Sequence, residues 1–253
     1  MKFLEQMFTG MILVPFFQKC IQLLALPIYL LSYIGLWDSI CKTIFPYFMN
    51  KITKNINRKF YKEKQQLFKT LTEFSDSSGR LSLLEIGTGS GANFQFYPPG
   101  CQVNCTDPNP NFKQYLLKSI SENPHLQFDG FIVASGEDLH FVSDNSVDVV
   151  VCTLVLCSVD NIPAVLKEVK RVLRPGGAFY FMEHVAADKS SWSYFWQQIY
   201  DPTWRYLGDG CSLIKETWKD LENAKFSELN LRHITSPVKW NPARPHILGY
   251  AVK

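Results

Sequence analysis

A glycine-rich turn directly after an apolar strand constrains the fold of this chain more than any other feature. Residues 83–93 read Leu-Leu-Glu-Ile-Gly-Thr-Gly-Ser-Gly-Ala-Asn, so Glu85 stands two places before the first of the alternating glycines Gly87, Gly89 and Gly91. Glycine is needed here because a side chain would block close approach of the backbone to a ligand. An acidic residue followed by Gly-x-Gly-x-Gly is typical of sites for S-adenosylmethionine (SAM).

A second cofactor fits the same turn. Its letters also satisfy the dinucleotide fingerprint Gly-x-Gly-x-x-Ala, and Asp107 follows at about the distance from which an acidic residue holds a ribose. The turn alone therefore leaves SAM and a nicotinamide cofactor open, and the rest of the chain must decide between them.

Strand and helix patterns alternate after Gly79, which predicts an α/β fold with a parallel sheet covered on both faces. We expect a helix over 162–173, ended by Arg174-Pro-Gly-Gly, and seven strands with the last two close together. This count suits the Rossmann-like sheet of class I methyltransferases better than that of a six-stranded dehydrogenase. The expected strands are Leu81–Ile86, Gln102–Thr106, Phe128–Val133, Val147–Cys152, Ala178–Met182, Phe226–His233 and Ile247–Val252.

The net charge of +3 is distributed unevenly over the 253 residues. Residues 42–69 alone carry +7, with no aromatic-interleaved basic surface or recognition motif that would indicate nucleic-acid binding. We predict three parts: a hydrophobic membrane anchor over 1–41, a basic neck and helix over 42–78, and a SAM-dependent methyltransferase domain over 79–253. Within the neck, apolar residues at helical spacing predict a helix over 58–75 that packs on the sheet.

An apolar run from Met11 to Trp37 predicts attachment to a membrane. Its cleanest part, Cys20–Trp37, is near the minimum length for one helical bilayer crossing. Pro27 in the middle and Lys19 at the edge leave a bent hairpin or an in-plane helix open beside a single span. A cleaved signal peptide is the alternative, although no small-x-small cleavage site closes the run. The basic segment that follows is expected to face the cytosol and to bind anionic lipid head groups.

Seven cysteines are scattered along the chain, and their odd number argues against a disulfide framework and for a reducing compartment. Cys101 and Cys105 share a strand face and are expected in the core. No Cys-x-x-Cys or His-rich pair has the spacing of a zinc site, so we expect no metal.

Longer strings reveal the family that this chain resembles. Glu85-Ile-Gly-Thr-Gly-Ser-Gly, the strand-end Asp107, the strand containing Asp148 and Arg174-Pro-Gly-Gly together resemble class I SAM-dependent methyltransferases. More closely, the chain is similar to the methyltransferase-like 7 family, the membrane-associated alkyl thiol S-methyltransferases. The strings that carry this likeness are Ala92-Asn-Phe-Gln-Phe-Tyr-Pro-Pro-Gly-Cys101, Asp107-Pro-Asn-Pro110, Val149-Val-Val-Cys-Thr-Leu-Val-Leu-Cys-Ser-Val159, Trp196-Gln-Gln198 and Glu216-Thr-Trp-Lys-Asp-Leu-Glu222.

The resemblance implies SAM as cofactor and methyl transfer to the sulfur of a small hydrophobic thiol. It also implies a location at the cytosolic face of the endoplasmic reticulum membrane and on lipid droplets. One departure is visible in the turn, where the family usually has Gly-Cys-Gly-Thr-Gly and this chain has Thr88 and Ser90, both small and easily accommodated.

The parts of SAM need different neighbours. We expect the glycine turn to lie against the methionine end, with Glu85 engaging its ammonium directly or through water, or else capping loop amides. Asp107 offers two carboxylate oxygens to the two ribose hydroxyls. Pro108 and Asn109 are expected to shape the loop beside adenine.

Methyltransferases generally have Gly-Asp-Ala-Glu before the fourth strand, and this chain departs from that pattern. Here the letters are Ala134-Ser135-Gly136-Glu137, so adenine is expected to be read by Ser135 or by backbone amides. Thr153, just past the fourth strand, is expected with Leu154 near the transferable methyl group, because ligands bind at that edge of open α/β sheets. Asp148 lies inside the strand and is expected to accept backbone amides.

Methyl transfer to a thiol depends mainly on alignment, because a thiol of pKa about 8.5 is already a few per cent thiolate at neutral pH. If a general base exists, His184 is the first candidate, since it ends the fifth strand; the alternative is a histidine that satisfies a loop carbonyl. Asp201 is the second candidate. Seven aromatic residues within 192–206 predict either a lid or wall for apolar acceptors or a helix packed on the core or neck.

Three other functions stay open on the residues alone. The chain could methylate a lipid or quinone on oxygen or carbon, since the fold does not select the acceptor atom. It could be an inactive membrane-anchored scaffold, although Glu85, the three glycines and Asp107 are intact. Dehydrogenase activity has the least support.

Overall fold

Seven strands form one mixed sheet in this computed structural model, which describes residues 2–236 and 242–253, with side chains from residue 12 onward. The strand order is β3-β2-β1-β4-β5-β7-β6; β7 runs antiparallel to both neighbours and the remaining pairs are parallel. Residue 1 of the predicted anchor and residues 237–241 of the predicted methyltransferase domain lie outside the described residues. The strands are β1 (Ser82–Ile86), β2 (Gln102–Thr106), β3 (Gln127–Ile132), β4 (Val147–Thr153), β5 (Leu173–His184), β6 (Glu228–Thr235) and β7 (Pro245–Val252).

Helices cover both faces of this sheet and extend beyond it at the N-terminal end. Within the described residues they are α1 (Lys2–Leu24), α2 (Leu26–Tyr33), α3 (Trp37–Lys59), α4 (Tyr61–Phe68), α5 (Lys113–Ser121), α6 (Ile162–Val172), α7 (Trp192–Leu207) and α8 (Thr217–Asn223).

The core lies in two layers, one on each face of the sheet. Successive strand residues point to opposite faces, so Val149 packs in the layer with Phe68 of α4 while Val150 packs in the layer with Val165 of α6. β4 is therefore apolar along nearly its whole length, as expected for a parallel strand covered on both sides. Asp148, also in β4, accepts a hydrogen bond from the amide of Ser82, which agrees with its predicted structural role.

The strand predictions are confirmed, and β5 is where the boundary differs most. The prediction begins it at Ala178, whereas pairing with β4 already begins at Leu173. The register shifts between Val147 and Val149, so the intervening Arg174-Pro-Gly-Gly segment forms an irregularity inside the strand. The side chain of Arg174, within this irregular segment of β5, forms an ion pair with Asp148 of β4.

The neck is more segmented than the single helix predicted over 58–75. The structure has α3, a break at Phe60, then α4, followed by a short 3₁₀ turn over Leu71–Phe74. Leu67 and Leu71 are buried against the sheet, so the predicted packing is correct although the helix is broken.

The N-terminal apolar run forms two helices that meet at a sharp bend. Among the described residues no single helix has both the length and the apolar composition of a bilayer span; Ile12–Leu24 and Leu26–Tyr33 pass that test only together, bent by 74°. The bend falls beside Pro27, which occupies the first turn of α2. α1 lies along α7, where the Gln18 amide donates to the Gln198 carbonyl at 2.9 Å.

Candidate active site

A cavity of about 950 Å³ opens at the carboxyl ends of β1, β2, β4 and β5, with α3 as its opposite wall. This is the edge where open α/β sheets bind ligands, because the loops after neighbouring parallel strands meet there. Most of the predicted site residues line it: Gly87, Gly89, Asp107, Pro108, Asn109, Ser135, Gly136, Glu137, Thr153 and His184. Gly91 borders an adjacent groove, whereas Glu85 and Asp201 line neither.

The glycine turn requires glycine for two separate reasons. Gly87, Gly89 and Gly91 all have positive φ, between 54° and 76°, which side-chain-bearing residues rarely adopt. At Gly87 there is also no room, since a Cβ would lie 2.2 Å from Cγ2 of Val155. The turn therefore brings bare backbone to the cavity and packs against the loop after β4.

Glu85 lies buried behind the turn in a polar network. Its Oε1 accepts from Nδ2 of Asn93 at 2.7 Å, and the same amide donates to Thr153 at 2.9 Å. Its Oε2 has no hydrogen-bond partner among the described residues. Burial raises the pKa of Glu85 to about 7, although Asn93, Tyr97 and Lys64 oppose that rise.

Lys64 of α4 completes this network and was not predicted as part of the site. It is buried, and its ammonium donates to Asn93 at 2.7 Å and to Asn57 of α3 at 2.8 Å. Burial lowers the pKa of Lys64 to about 8, against the opposing charge of Glu85. The neck thus supplies a cation to the interior of the site.

Asp107 holds the second loop of the cavity in shape. Its two oxygens accept from the backbone amides of Gly89, at 3.0 Å, and Asn109, at 2.9 Å. Burial raises the pKa of Asp107 to about 6, partly offset by these two donors. The Asn109 side chain donates to the carbonyl of Lys42, which ties the loop to α3.

The loop after β3 carries the three residues predicted near adenine. Glu137 accepts from the hydroxyl of Ser135 at 3.3 Å and from the amide of Asn161 at 2.6 Å. Gly136 has no room for a side chain, because a Cβ would lie 2.6 Å from Cγ2 of Ile86. The loop therefore packs tightly on the end of β1 and presents Ser135 to the cavity.

His184 lies on the cavity wall beside two cysteines that the sequence analysis did not single out. Its Nε2 lies 2.7 Å from Sγ of Cys211, and the indole of Trp204 donates to the same sulfur at 3.1 Å. Ligand atoms of Cys157, His184 and Cys211 all lie within 4.8 Å of one another. Hydrogen bonds from the Cys157 thiol, His184 and Trp204 lower the pKa of Cys211 to about 5.

Asp201 is placed differently from the other candidates. One oxygen accepts from the hydroxyl of Ser212 at 2.8 Å and from the amide of Leu213 at 2.6 Å, and the other pairs with Arg205. The carboxylate thereby fastens α7 to the loop that follows it, outside the cavity lining.

The wall opposite the glycine turn is apolar. α3 contributes Ile44, Phe48 and Ile52 to the cavity, and α7 contributes Trp204 and Leu207. The other aromatic residues of α7 divide their contacts: Phe17 of α1 meets Trp196, and Tyr29 of α2 meets Tyr206. Trp204 therefore lies on the cavity wall, whereas, among the described residues, Trp196 and Tyr206 pack on the predicted anchor and not on the core or neck. The role as a wall for apolar acceptors stays a prediction.

Comparisons with known proteins agree with this geometry. A family model described as a methyltransferase domain matches residues 84–181, and one described as a hypothetical methyltransferase matches residues 138–238. A solved SAM-dependent methyltransferase from Thermotoga maritima superimposes with a TM-score of 0.57 at 17% identity, covering 84% of this chain and 99% of that one. The fold and the domain match define a class I SAM-dependent methyltransferase.

Two human relatives narrow the class. The chain is 61% identical over 223 residues to thiol S-methyltransferase TMT1A of Homo sapiens, covering 88% of this chain and 91% of that one. It is 54% identical over 242 residues to thiol S-methyltransferase TMT1B of Homo sapiens, covering 96% and 99%. The chain belongs to the thiol S-methyltransferase family.

The residues of the cavity fit the cofactor of that class. At its glycines the turn brings positive-φ backbone to the cavity, and Oε2 of Glu85, buried behind the turn, has no hydrogen-bond partner among the described residues. Asp107 directly follows β2 and accepts from loop amides with both oxygens, in the position from which a carboxylate binds ribose hydroxyls. We predict that Glu85 and the turn hold the methionine end of SAM, that Asp107 holds its ribose and that the loop containing Ser135 holds its adenine.

Proposed function

We propose that this protein transfers a methyl group from SAM to the sulfur of small hydrophobic alkyl thiols. The observation that carries the proposal is one cavity that joins the cofactor-binding turn and Asp107 to an apolar wall built by α3 and α7. The thiol specificity in the names of both human relatives supports the choice of acceptor atom.

The reaction requires little chemistry from the protein beyond alignment and exclusion of water. SAM, when bound, supplies a methyl group attached to a sulfonium. A sulfur nucleophile attacks the methyl carbon in line with the bond to the departing sulfonium sulfur. Thr153 and Leu154 lie at the end of β4 on the cavity wall, with Thr153 held by Asn93. Ile44, Phe48 and Ile52 offer apolar surface to the alkyl chain of the acceptor, which desolvates the thiol beside the cofactor.

The acceptor atom is tested by a matched pair of substrates. Membranes containing the full chain are given labelled SAM with either an alkyl thiol or the alcohol of the same chain length, and Asp107→Ala serves as the control for cofactor binding. We expect a methyl thioether from the thiol, little or no ether from the alcohol, and neither product from the variant.

Other products decide between the alternatives. Label transferred to a lipid or quinone on oxygen or carbon, with no thioether, would replace the proposed acceptor. SAM binding without transfer to any acceptor, or no SAM binding at all, would instead favour an inactive scaffold.

We also propose that the chain is attached to the cytosolic face of a membrane, on the endoplasmic reticulum and on lipid droplets. Apolar side chains on the bent pair α1–α2 support this, since Leu24 and Tyr33 are 85% and 91% exposed. The basic residues of the neck other than Lys64 are also exposed, which suits binding to anionic head groups: Lys42, Lys51, Lys54, Arg58, Lys59, Lys62 and Lys69.

Flotation with lipid vesicles and protection from protease test this attachment. We expect the full chain to float with vesicles, more weakly when Lys51, Lys54 and Arg58 are changed to Gln, while Lys167→Gln with Lys219→Gln has no effect. In microsomes the methyltransferase domain should be digested by added protease. A protected domain, or a chain that stays unbound to every vesicle, would contradict the proposal.

A further inference from the structure

Three soft-metal ligands converge at one point of the cavity wall. Cys157 follows β4, His184 ends β5 and Cys211 follows α7, and their ligand atoms lie within 4.8 Å of one another. Cys157 and His184 are buried, and Cys211 is 9% exposed. All three also line the cavity that contains the glycine turn. This is a cluster built by the fold, since its members come from three separate segments.

The donor set matches a particular class of cation. Two thiols and one imidazole are the ligands preferred by Zn²⁺ and other thiophilic metals, and a catalytic zinc site has three protein ligands and one open position. Around one zinc ion at about 2.3 Å from sulfur and about 2.0 Å from nitrogen, the ligand atoms are roughly 3.5–4 Å apart. The separation of 2.7 Å between His184 Nε2 and Cys211 Sγ would need to open by about 1 Å.

The surroundings support ligation at the sulfur of Cys211. The indole N–H of Trp204 points at that sulfur at 3.1 Å, as an outer hydrogen bond to a metal-bound thiolate would. Two thiolates and a neutral imidazole around a divalent cation carry no net charge, which suits a buried position.

We propose that Cys157, His184 and Cys211 bind a thiophilic divalent cation such as Zn²⁺, with its fourth position open to the cavity. The absence of a Cys-x-x-Cys or His-rich pair, which led us to expect no metal, concerns ligands that are close in sequence. These three ligands come from segments far apart in sequence.

The role of the site rests on the proposed function: the thiol of the acceptor occupies the fourth position. A coordinated thiol loses its proton to solvent and stays as thiolate. The sulfur lone pair of this thiolate would form the new S–CH₃ bond while the S–CH₃ bond of the sulfonium breaks. Both the methylated acceptor and the demethylated cofactor are then neutral thioethers. His184 then acts as a ligand, and no separate general base is needed.

Metal binding tests the site without reference to activity. The full chain in detergent is stripped with chelator and titrated with Zn²⁺, followed by elemental analysis, and with Co²⁺, followed by thiolate-to-cobalt absorption. We expect one ion per chain, and for Cys157→Ala and Cys211→Ala a loss of affinity at least as large as the roughly 10–100-fold that removal of a ligand's outer partner costs. The matched control Cys101→Ala removes a buried cysteine outside the cluster and should bind as the wild type does.

The outcomes separate the site from the proposed function. Addition of an alkyl thiol to the Co²⁺-loaded wild type should strengthen the thiolate-to-cobalt band. A wild type that methylates thiols without binding either ion overturns the metal site and leaves the function standing. Tight metal binding by a protein that does not methylate thiols would support the metal site but overturn its role in binding the acceptor thiol. Should the cysteine variants fail to fold, the wild-type Co²⁺ spectrum alone decides whether thiolates coordinate.

Discussion

Single residues of the glycine turn set how closely backbone and neighbouring loop can meet. Gly87 combines a positive φ of 63° with a contact to Val155 that leaves no space for a methyl group. Gly100 has a positive φ of 76° but open space around its Cα. A comparison of substitutions at the two glycines therefore separates the effect of backbone strain from the effect of close packing.

Replacement of Gly87 by Ala is predicted to destabilise the protein more than replacement of Gly100 by Ala. The strain of a left-handed residue costs about 1–2 kcal/mol at either position, and overpacking against Val155 adds about 1–3 kcal/mol at Gly87. Chemical unfolding of both variants measures this difference, and SAM binding should weaken only for Gly87→Ala. Equal losses of stability would show that Val155 gives way and that the turn is not tightly packed.

The pH dependence of stability should reveal Glu85. Its pKa rises from about 4.5 to about 7 on folding, so the native state holds a proton that the unfolded state has lost. This contribution is fully present below pH 4.5 and is lost as the pH rises from there through 7, on the order of 3 kcal/mol in all. The charged groups facing Glu85 are Lys64 of α4, which opposes the loss, and Asp107, which directly follows β2 and adds to the loss.

Glu85→Gln removes this titration and should stabilise the SAM-free protein relative to wild type above pH 7, while weakening SAM binding. Thermal unfolding of both proteins between pH 5 and pH 9 measures the difference, with the exposed Glu222→Gln as control. A difference between Glu85→Gln and wild type that does not grow with pH would contradict the raised pKa.

At the scale of elements, α3 serves both as neck and as cavity wall. Its exposed basic residues Lys51, Lys54 and Arg58 do not line the cavity, whereas Lys42 and Lys59 line it together with the apolar Ile44, Phe48 and Ile52. The Asn109 contact to the carbonyl of Lys42 fixes the start of the helix beside the cofactor loop. The proposed membrane attachment of the neck and the shape of the proposed acceptor site therefore depend on the same helix.

Phe48→Ala is predicted to raise KM for a long-chain alkyl thiol about fivefold with kcat nearly unchanged, because about 1 kcal/mol of apolar contact is lost equally from ground and transition states. A two-carbon thiol should show little change. Tyr47→Ala is the matched control, since Tyr47 is similarly exposed on α3 but does not line the cavity. Equal effects of the two substitutions would remove α3 from the acceptor site.

Strands and helices could be predicted from sequence where the apolar periodicity and the flanking turn residues indicate the same element. The seven strands follow from apolar runs bounded by turns, whereas the break at Phe60 follows from tertiary packing that no local pattern records. The charge pattern predicts that the basic residues of the neck, Lys64 included, face lipid head groups, yet Lys64 occupies the same helical stripe as Phe60, Leu67 and Leu71. A charge within an apolar stripe was the available signal that it is buried and paired.

For the molecule as a whole, the edge of the sheet explains which site residues could be foreseen. Residues at the carboxyl ends of parallel strands, such as Asp107, Thr153 and His184, meet because those ends lie at one edge of the sheet, so topology alone predicts their proximity. Cys211 reaches the same cavity from the end of α7, and only the packing of that helix brings it to His184. The order of residues along the chain does not predict that packing.

The most direct test of S-methylation at this cavity is the kinetics of methyl transfer from labelled SAM to one alkyl thiol, for wild type and Asp107→Asn. We predict a methyl thioether from both, with KM for SAM raised roughly 10–100-fold in the variant, since one charge-assisted contact is lost while a side-chain oxygen still accepts a loop amide. Absence of thioether from the SAM-binding wild type, or an unchanged KM for SAM in the variant, would contradict the account.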